Sequence, residues 1–129
     1  MDRIKKNAAF FLIGGTGYGI IELIWRGYTH WTMIIAGGVC FVIISKISKR
    51  FKNRPLVYKA VLSALGITAV ELLFGIVFNK VLRMGIWDYS TMPFNFMGQI
   101  CPFFTVAWCA LGFIFVPLAD ILNRKIARG

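Results

Sequence analysis

Charge is scarce in this chain and lopsided. Charged residues make up 16% of the 129 positions, and only five are Asp or Glu against fifteen Lys and Arg. With 58% of the residues hydrophobic, too little polar surface remains to solvate a water-soluble domain of this length. Histidine is nearly absent too: His30 stands alone, and a lone histidine does not assemble a zinc site. The three cysteines, Cys40, Cys101 and Cys109, make no CxxC pair and lie inside apolar stretches. They read as small buried side chains, so no metal is expected. There is no GxSxG elbow, no HExxH and no Walker A loop of the form GxxxxGK(S/T). No catalytic residue and no cofactor is therefore expected, and the chain reads as a non-enzyme.

Long apolar runs fill the sequence instead. About 20 mostly apolar residues cross the hydrocarbon core of a bilayer as a helix. Four runs qualify: Ala8 to Trp25, Trp31 to Ile47, Leu56 to Phe78 and Met97 to Ile121. Backbone groups in lipid must be satisfied within the segment, and the runs are continuous rather than alternating, so helices are expected and a barrel is not. The first run lacks a small-residue cleavage site ahead of a soluble region and reads as a span, not a signal peptide. The expected fold is an all-α membrane protein, one domain over residues 1–129 with four transmembrane helices. Pro117, inside the fourth run, predicts a kink or a change of direction.

The excess of positive charge suggests nucleic-acid binding until its position is considered. Twelve of the fifteen cations fall in three clusters: Arg3, Lys5 and Lys6; then Lys46 through Lys59; then Arg124, Lys125 and Arg128. Arg26, Lys80 and Arg83 lie near the alternate loops. Short loops rich in Lys and Arg stay cytoplasmic, which predicts both termini and the middle loop inside. These clusters are expected to meet anionic lipid headgroups of the bilayer, and no nucleic acid.

The halves resemble each other. Gly17-Tyr18-Gly19-Ile20-Ile21-Glu22-Leu23 parallels Gly66-Ile67-Thr68-Ala69-Val70-Glu71-Leu72, and Gly37 to Phe41 parallels Gly98 to Phe103. The interval from glutamate to glycine is 15 residues in the first half and 27 in the second, so an insertion of 12 in the second outer loop separates them. Two parallel-repeat hairpins, 8–54 and 55–129, are expected.

Glu22 and Glu71 are the sharpest residues, because charge inside a span is costly and commonly faces a protein interior or an aqueous cavity. Packed about a pseudo-twofold axis, the two carboxylates would meet in one site, raise a proton affinity there and favour a cation or proton. The alternative is a structural clasp: Arg26 lies one turn after Glu22, and Asn79 lies two turns after Glu71 with Gly75 between. Gly15 and Gly19 form a small-xxx-small pair suited to close helix packing, and Gly37 and Gly38 read similarly. Trp25, Trp31, Trp87 and Tyr89 suit the headgroup level.

A wider pattern joins these residues. Ile21-Glu22, Trp25-Arg26-Gly27, His30-Trp31-Thr32-Met33 and Gly37-Gly38-Val39-Cys40-Phe41 form its first half. Trp87-Asp88-Tyr89-Ser90, Pro93, Asn95, Gly98-Gln99-Ile100-Cys101 and Trp108 form its second. Together they resemble the small bacterial membrane proteins grouped as the putative ABC-transporter type IV family. The resemblance covers most of the chain and implies a permease subunit in a bacterial cytoplasmic membrane. It also implies that Glu22, Arg26, His30, Trp87, Asp88, Asn95 and Gln99 form an outer polar cluster. With Glu71, these are the candidate ligand-binding residues. The expected activity is that of a small transporter or transporter subunit, working as a homo-oligomer or with a membrane partner. An ion channel and a structural or regulatory membrane protein are the alternatives.

Overall fold

A computed structural model describes residues 3–88 and 90–128, and its side-chain description leaves out residues 25, 26 and 126–128. Four α-helices follow one another: α1 (Arg3–Arg26), α2 (Trp31–Arg50), α3 (Leu56–Phe74) and α4 (Pro102–Arg128). A π-helical segment, Gly75–Val81, extends α3 without a break. All four are long and apolar enough to cross a membrane. Their outward faces are apolar as well: Ile24 is 81% exposed, and Leu12, Val106 and Ile114 are exposed with it. Such a surface suits lipid and would be a liability in water.

Local chemistry sets the helix ends. Gly27, at φ +80°, closes α1, where its N–H reaches the Leu23 carbonyl at 3.1 Å. Only glycine adopts that left-handed backbone cheaply. His30, extended, caps α2: its Nδ1 accepts the Thr32 N–H at 3.3 Å and lies 2.8 Å from the Thr32 hydroxyl. Pro55 precedes α3, and Pro102 opens α4, where a missing N–H costs nothing. The helix α4 continues through Pro117 for three further turns.

The first and fourth expected spans shift at their N-terminal ends. Helix α1 begins at Arg3, so the first cationic cluster is its opening turn. Helix α4 begins five residues later than the apolar run, because Met97 (φ +56°) and Gly98 (φ +73°) form a tight turn. That turn is closed by the Phe96 N–H on the Ile100 carbonyl at 2.9 Å. The segments expected to repeat one another consequently differ. Glu22 and Glu71 both lie on helices, but Gly37 is helical while its counterpart Gly98 is in the turn.

Two antiparallel hairpins, α1–α2 and α3–α4, pack together with α2 between α1 and the second hairpin. Glycine allows α1 and α2 to approach closely. A Cβ at Gly15 would stand 2.9 Å from the Ile34 carbonyl oxygen, and one at Gly38 would stand 2.8 Å from that of Phe11. Gly19 is looser, with its nearest neighbour at 3.4 Å. In the second hairpin Ala60 meets Gly112, and the Thr68 and Thr105 hydroxyls lie 2.9 Å apart. Phe10, Phe41, Ile44, Ile67, Val116 and Ala119 fill the centre, with the Phe10 and Phe41 rings 5.2 Å apart. Both described chain ends and the α2–α3 turn share one end of the bundle, the basic end. The α1–α2 turn and the segment 82–101 share the other, the loop end.

Candidate functional site

At the loop end Glu71, Gly75 and Asn79 follow one another along α3 and its π extension. The missing side chain at Gly75 makes room for Gln99: a Cβ there would stand 2.8 Å from the Gln99 Cβ. Gln99 is only 4% exposed, and both polar atoms of its amide have a partner. Its Oε1 accepts the Asn79 amide at 2.8 Å, and its Nε2 donates to the Met97 carbonyl at 3.0 Å. Its backbone carbonyl accepts the Trp87 indole N–H at 3.0 Å. Asn79 in turn accepts the Ile86 N–H at 2.6 Å. A buried amide without partners would be costly; here the partners lock the returning loop onto the π segment.

Beneath this closure the Trp108 indole of α4 donates to the Glu71 carboxylate at 2.8 Å. A cavity of about 40 Å³ lies beside them, lined also by Tyr18, Cys40 and Trp87. Above the closure an open depression of about 480 Å³ is lined by Asn79, Lys80, Asp88, Asn95, Gln99 and Trp87. Trp87 lines both spaces and is itself buried. It is the partition between a polar mouth and the carboxylate.

The remaining candidates have distinct surroundings. Asn95 shapes the mouth, donating to the Met92 carbonyl at 2.9 Å and the Ser90 carbonyl at 3.1 Å while accepting the Gly98 N–H at 3.0 Å. Asp88, exposed, accepts the Ser90 N–H at 2.9 Å, and that bond holds its carboxyl below its ordinary pKa. His30 is occupied as the α2 cap and lines neither space; its ring lies 5.5 Å from Trp31, which meets Phe78 edge-on at 5.8 Å. Glu22 is 5% exposed on α1 and likewise lines neither. The expected pairing of Glu22 with Arg26 lies outside the described side chains, as do Trp25 and Tyr89.

The family described as putative ABC-transporter type IV matches residues 9–128, a span that takes in most of α1, the whole of α2, α3 and α4, and the loop-end closure. The chain belongs to that family. Neither a curated protein nor a solved structure matches significantly. Family and architecture together make this a multi-pass membrane protein with a transport-related role.

This ABC-transporter type IV family member also holds a second polar group, at the basic end, that the hydropathy reading passes over. Asp120 of α4 accepts from the Ser48 hydroxyl of α2, and its other oxygen lies 3.5 Å from the Lys59 ammonium of α3. One signal was available: Asp120 is the sole acidic residue in the fourth apolar run. Asn79 was legible from its spacing to Glu71, and Trp108 only as part of the family-like pattern; their contacts with Gln99 and Glu71 were not.

Proposed function

We propose that this chain is a small membrane transporter, or the membrane subunit of one, and that Glu71 receives a cationic or protonatable ligand entering from the loop end. The observation that supports this most is the position of Trp87, one wall of the polar mouth and one wall of the Glu71 cavity. A carboxylate held at a cavity inside a membrane protein attracts positive charge, and the cost of keeping it there argues for use. The ligand enters among Asp88, Asn95 and Gln99, and Trp87 yields to admit it to Glu71. No covalent step is needed, so the protein acts as a carrier and not as an enzyme.

The basic end faces the cytoplasm in this reading, since it carries twelve of the fifteen Lys and Arg. The membrane is then the bacterial cytoplasmic one, with Glu71 approached from outside. Four thin helices leave a shallow path, so a second copy or a membrane partner completes it. Glu22, buried on α1 with Arg26 one turn on, serves the same path from the other hairpin if the repeats assemble about a common axis.

A structural clasp has one observation in its favour, the Trp108–Glu71 hydrogen bond between α3 and α4. Liposome flux of a panel of metal cations, amines and anions separates the readings. Transport predicts flux of a cation or amine by the native chain, and its loss in a folded Glu71→Gln variant. A native chain that moves none of the panel, or a Glu71→Gln variant that melts early with flux unchanged, would leave the clasp standing.

A further inference from the structure

A cavity of about 620 Å³ opens at the basic end, among α1, α2, the turn after α2, and α4. Four cations from those four stretches line it: Lys6, Lys49, Lys52 and Arg124. Asp120 is the acidic group on its wall, and that carboxylate is already taken by Ser48 and by Lys59 at 3.5 Å. Among the described residues, the cavity therefore keeps an uncompensated positive lining. Lys6 lies against Lys49 with Lys46 nearby, so like charges press on one another across the wall. An anion between them would convert that repulsion into attraction.

We infer that this cavity is a binding site for a phosphate-bearing anion. The volume exceeds many times over the ~30 Å³ that one water occupies in the liquid, so a headgroup-sized anion fits. The donor set suits phosphate: an arginine for paired hydrogen bonds, and lysines as point charges on flexible stems. Position suits it too. Lys49 lies in the last turn of α2, where an apolar helix meets the membrane surface and where lipid phosphates gather. An anionic phospholipid headgroup and a soluble phosphate share this chemistry. The inference is independent of Glu71, which lies at the opposite end of α3.

Diffuse attraction of a basic surface to anions depends on how many charges there are; a site depends on where they are. The test is thermal unfolding of the purified, detergent-solubilised full chain with three probes. These are dihexanoyl phosphatidylglycerol, dihexanoyl phosphatidylcholine and inorganic phosphate, the last at constant ionic strength. The native chain should melt several degrees higher with phosphatidylglycerol or inorganic phosphate, and not with phosphatidylcholine. A response to phosphatidylglycerol alone identifies a lipid headgroup, and a response to inorganic phosphate alone identifies the soluble anion; either supports the site, as does a response to both. The double variant K49Q/R124Q should bind at least tenfold more weakly. R3Q/R54Q, which removes the same charge from positions off the cavity wall, should bind as the native chain does. If K49Q/R124Q fails to fold, K6Q/K52Q replaces it. No shift with either anion, or equal weakening in the cavity and control variants, overturns the inference.

Discussion

The two ends of this bundle close by different means. At the loop end the closure is neutral: the amides of Asn79 and Gln99, the Trp87 indole and a few backbone carbonyls, with every polar atom of the Gln99 amide engaged. At the basic end the three helices α2, α3 and α4 meet at charge, with Asp120 held between Ser48 and Lys59. Unanswered polar atoms occur at both ends: Ser63 Oγ and Asn123 Oδ1 have no hydrogen-bond partner here, and Thr29 Oγ1 has none at the loop end. A neutral hydrogen bond contributes about 1 kcal/mol net, so a closure made of a few can open and re-form. The Lys59–Asp120 pair resists separation more, because its ammonium is buried and would be stranded alone, while the Asp120 carboxylate is a third exposed. The contrast assigns movement to the loop end and anchorage to the basic end.

The largest effect expected is at the anchor. Asp120→Ala should lower stability by about 3 kcal/mol, since it strands the Lys59 ammonium, which is 7% exposed. Adding Lys59→Met should recover much of the loss in a double-mutant cycle of unfolding in detergent. An Asp120→Ala variant no less stable than a loop-end variant would erase the contrast. Gln99→Leu comes next, at about 2 kcal/mol, because it removes both hydrogen bonds of a buried amide and leaves the half-buried Asn79 amide without its acceptor. Limited proteolysis should then cut the segment 82–101 sooner while the helices resist. Gly75→Ala should cost about 1 kcal/mol, by pushing Gln99 off α3, and should raise the same loop sensitivity. Smallest is the effect of pH through Asp88. Its folded pKa is depressed by the Ser90 N–H, so its contribution is present above the ordinary carboxylate value and is lost as pH falls through the lowered one. Asp88→Asn should remove that acid-side loss of loop order, as read by hydrogen exchange at Ser90.

Much of the architecture was readable because hydropathy reports directly on what a bilayer demands. Four spans, a short turn within the first hairpin and the lipid-facing surface follow from the apolar runs. The errors fall where hydropathy stops being informative. It counted Met97 and Ile100 as helix, although the positive φ at Met97 and Gly98 makes a turn there. It began the first span at Ala8, whereas α1 starts at Arg3 and includes Lys5 and Lys6; long cationic stems extend an apolar helix into the interface. The site was legible residue by residue but not as contacts. Glu71 was singled out by its charge inside a span, and Trp87 and Gln99 by the family resemblance, yet only the structure shows that Gln99 fills the space left by Gly75. His30 was drawn to notice by rarity and turned out to cap a helix.

The π-helical run at Gly75–Val81 has a consequence for how this sequence tolerates change in length. A π turn holds more residues than an α turn, so such a run amounts to extra chain absorbed into a helix without breaking it. Losing one residue there would let α geometry resume with the chain beyond it facing nearly as before, because the wider turn had already absorbed that residue. The same loss inside the regular part of α3 has no such slack: everything beyond it would turn by about 100°, the angle each residue subtends in an α-helix, and Asn79 would swing away from Gln99. A single-codon deletion in the π-helical stretch should therefore do less damage than one in the middle of α3.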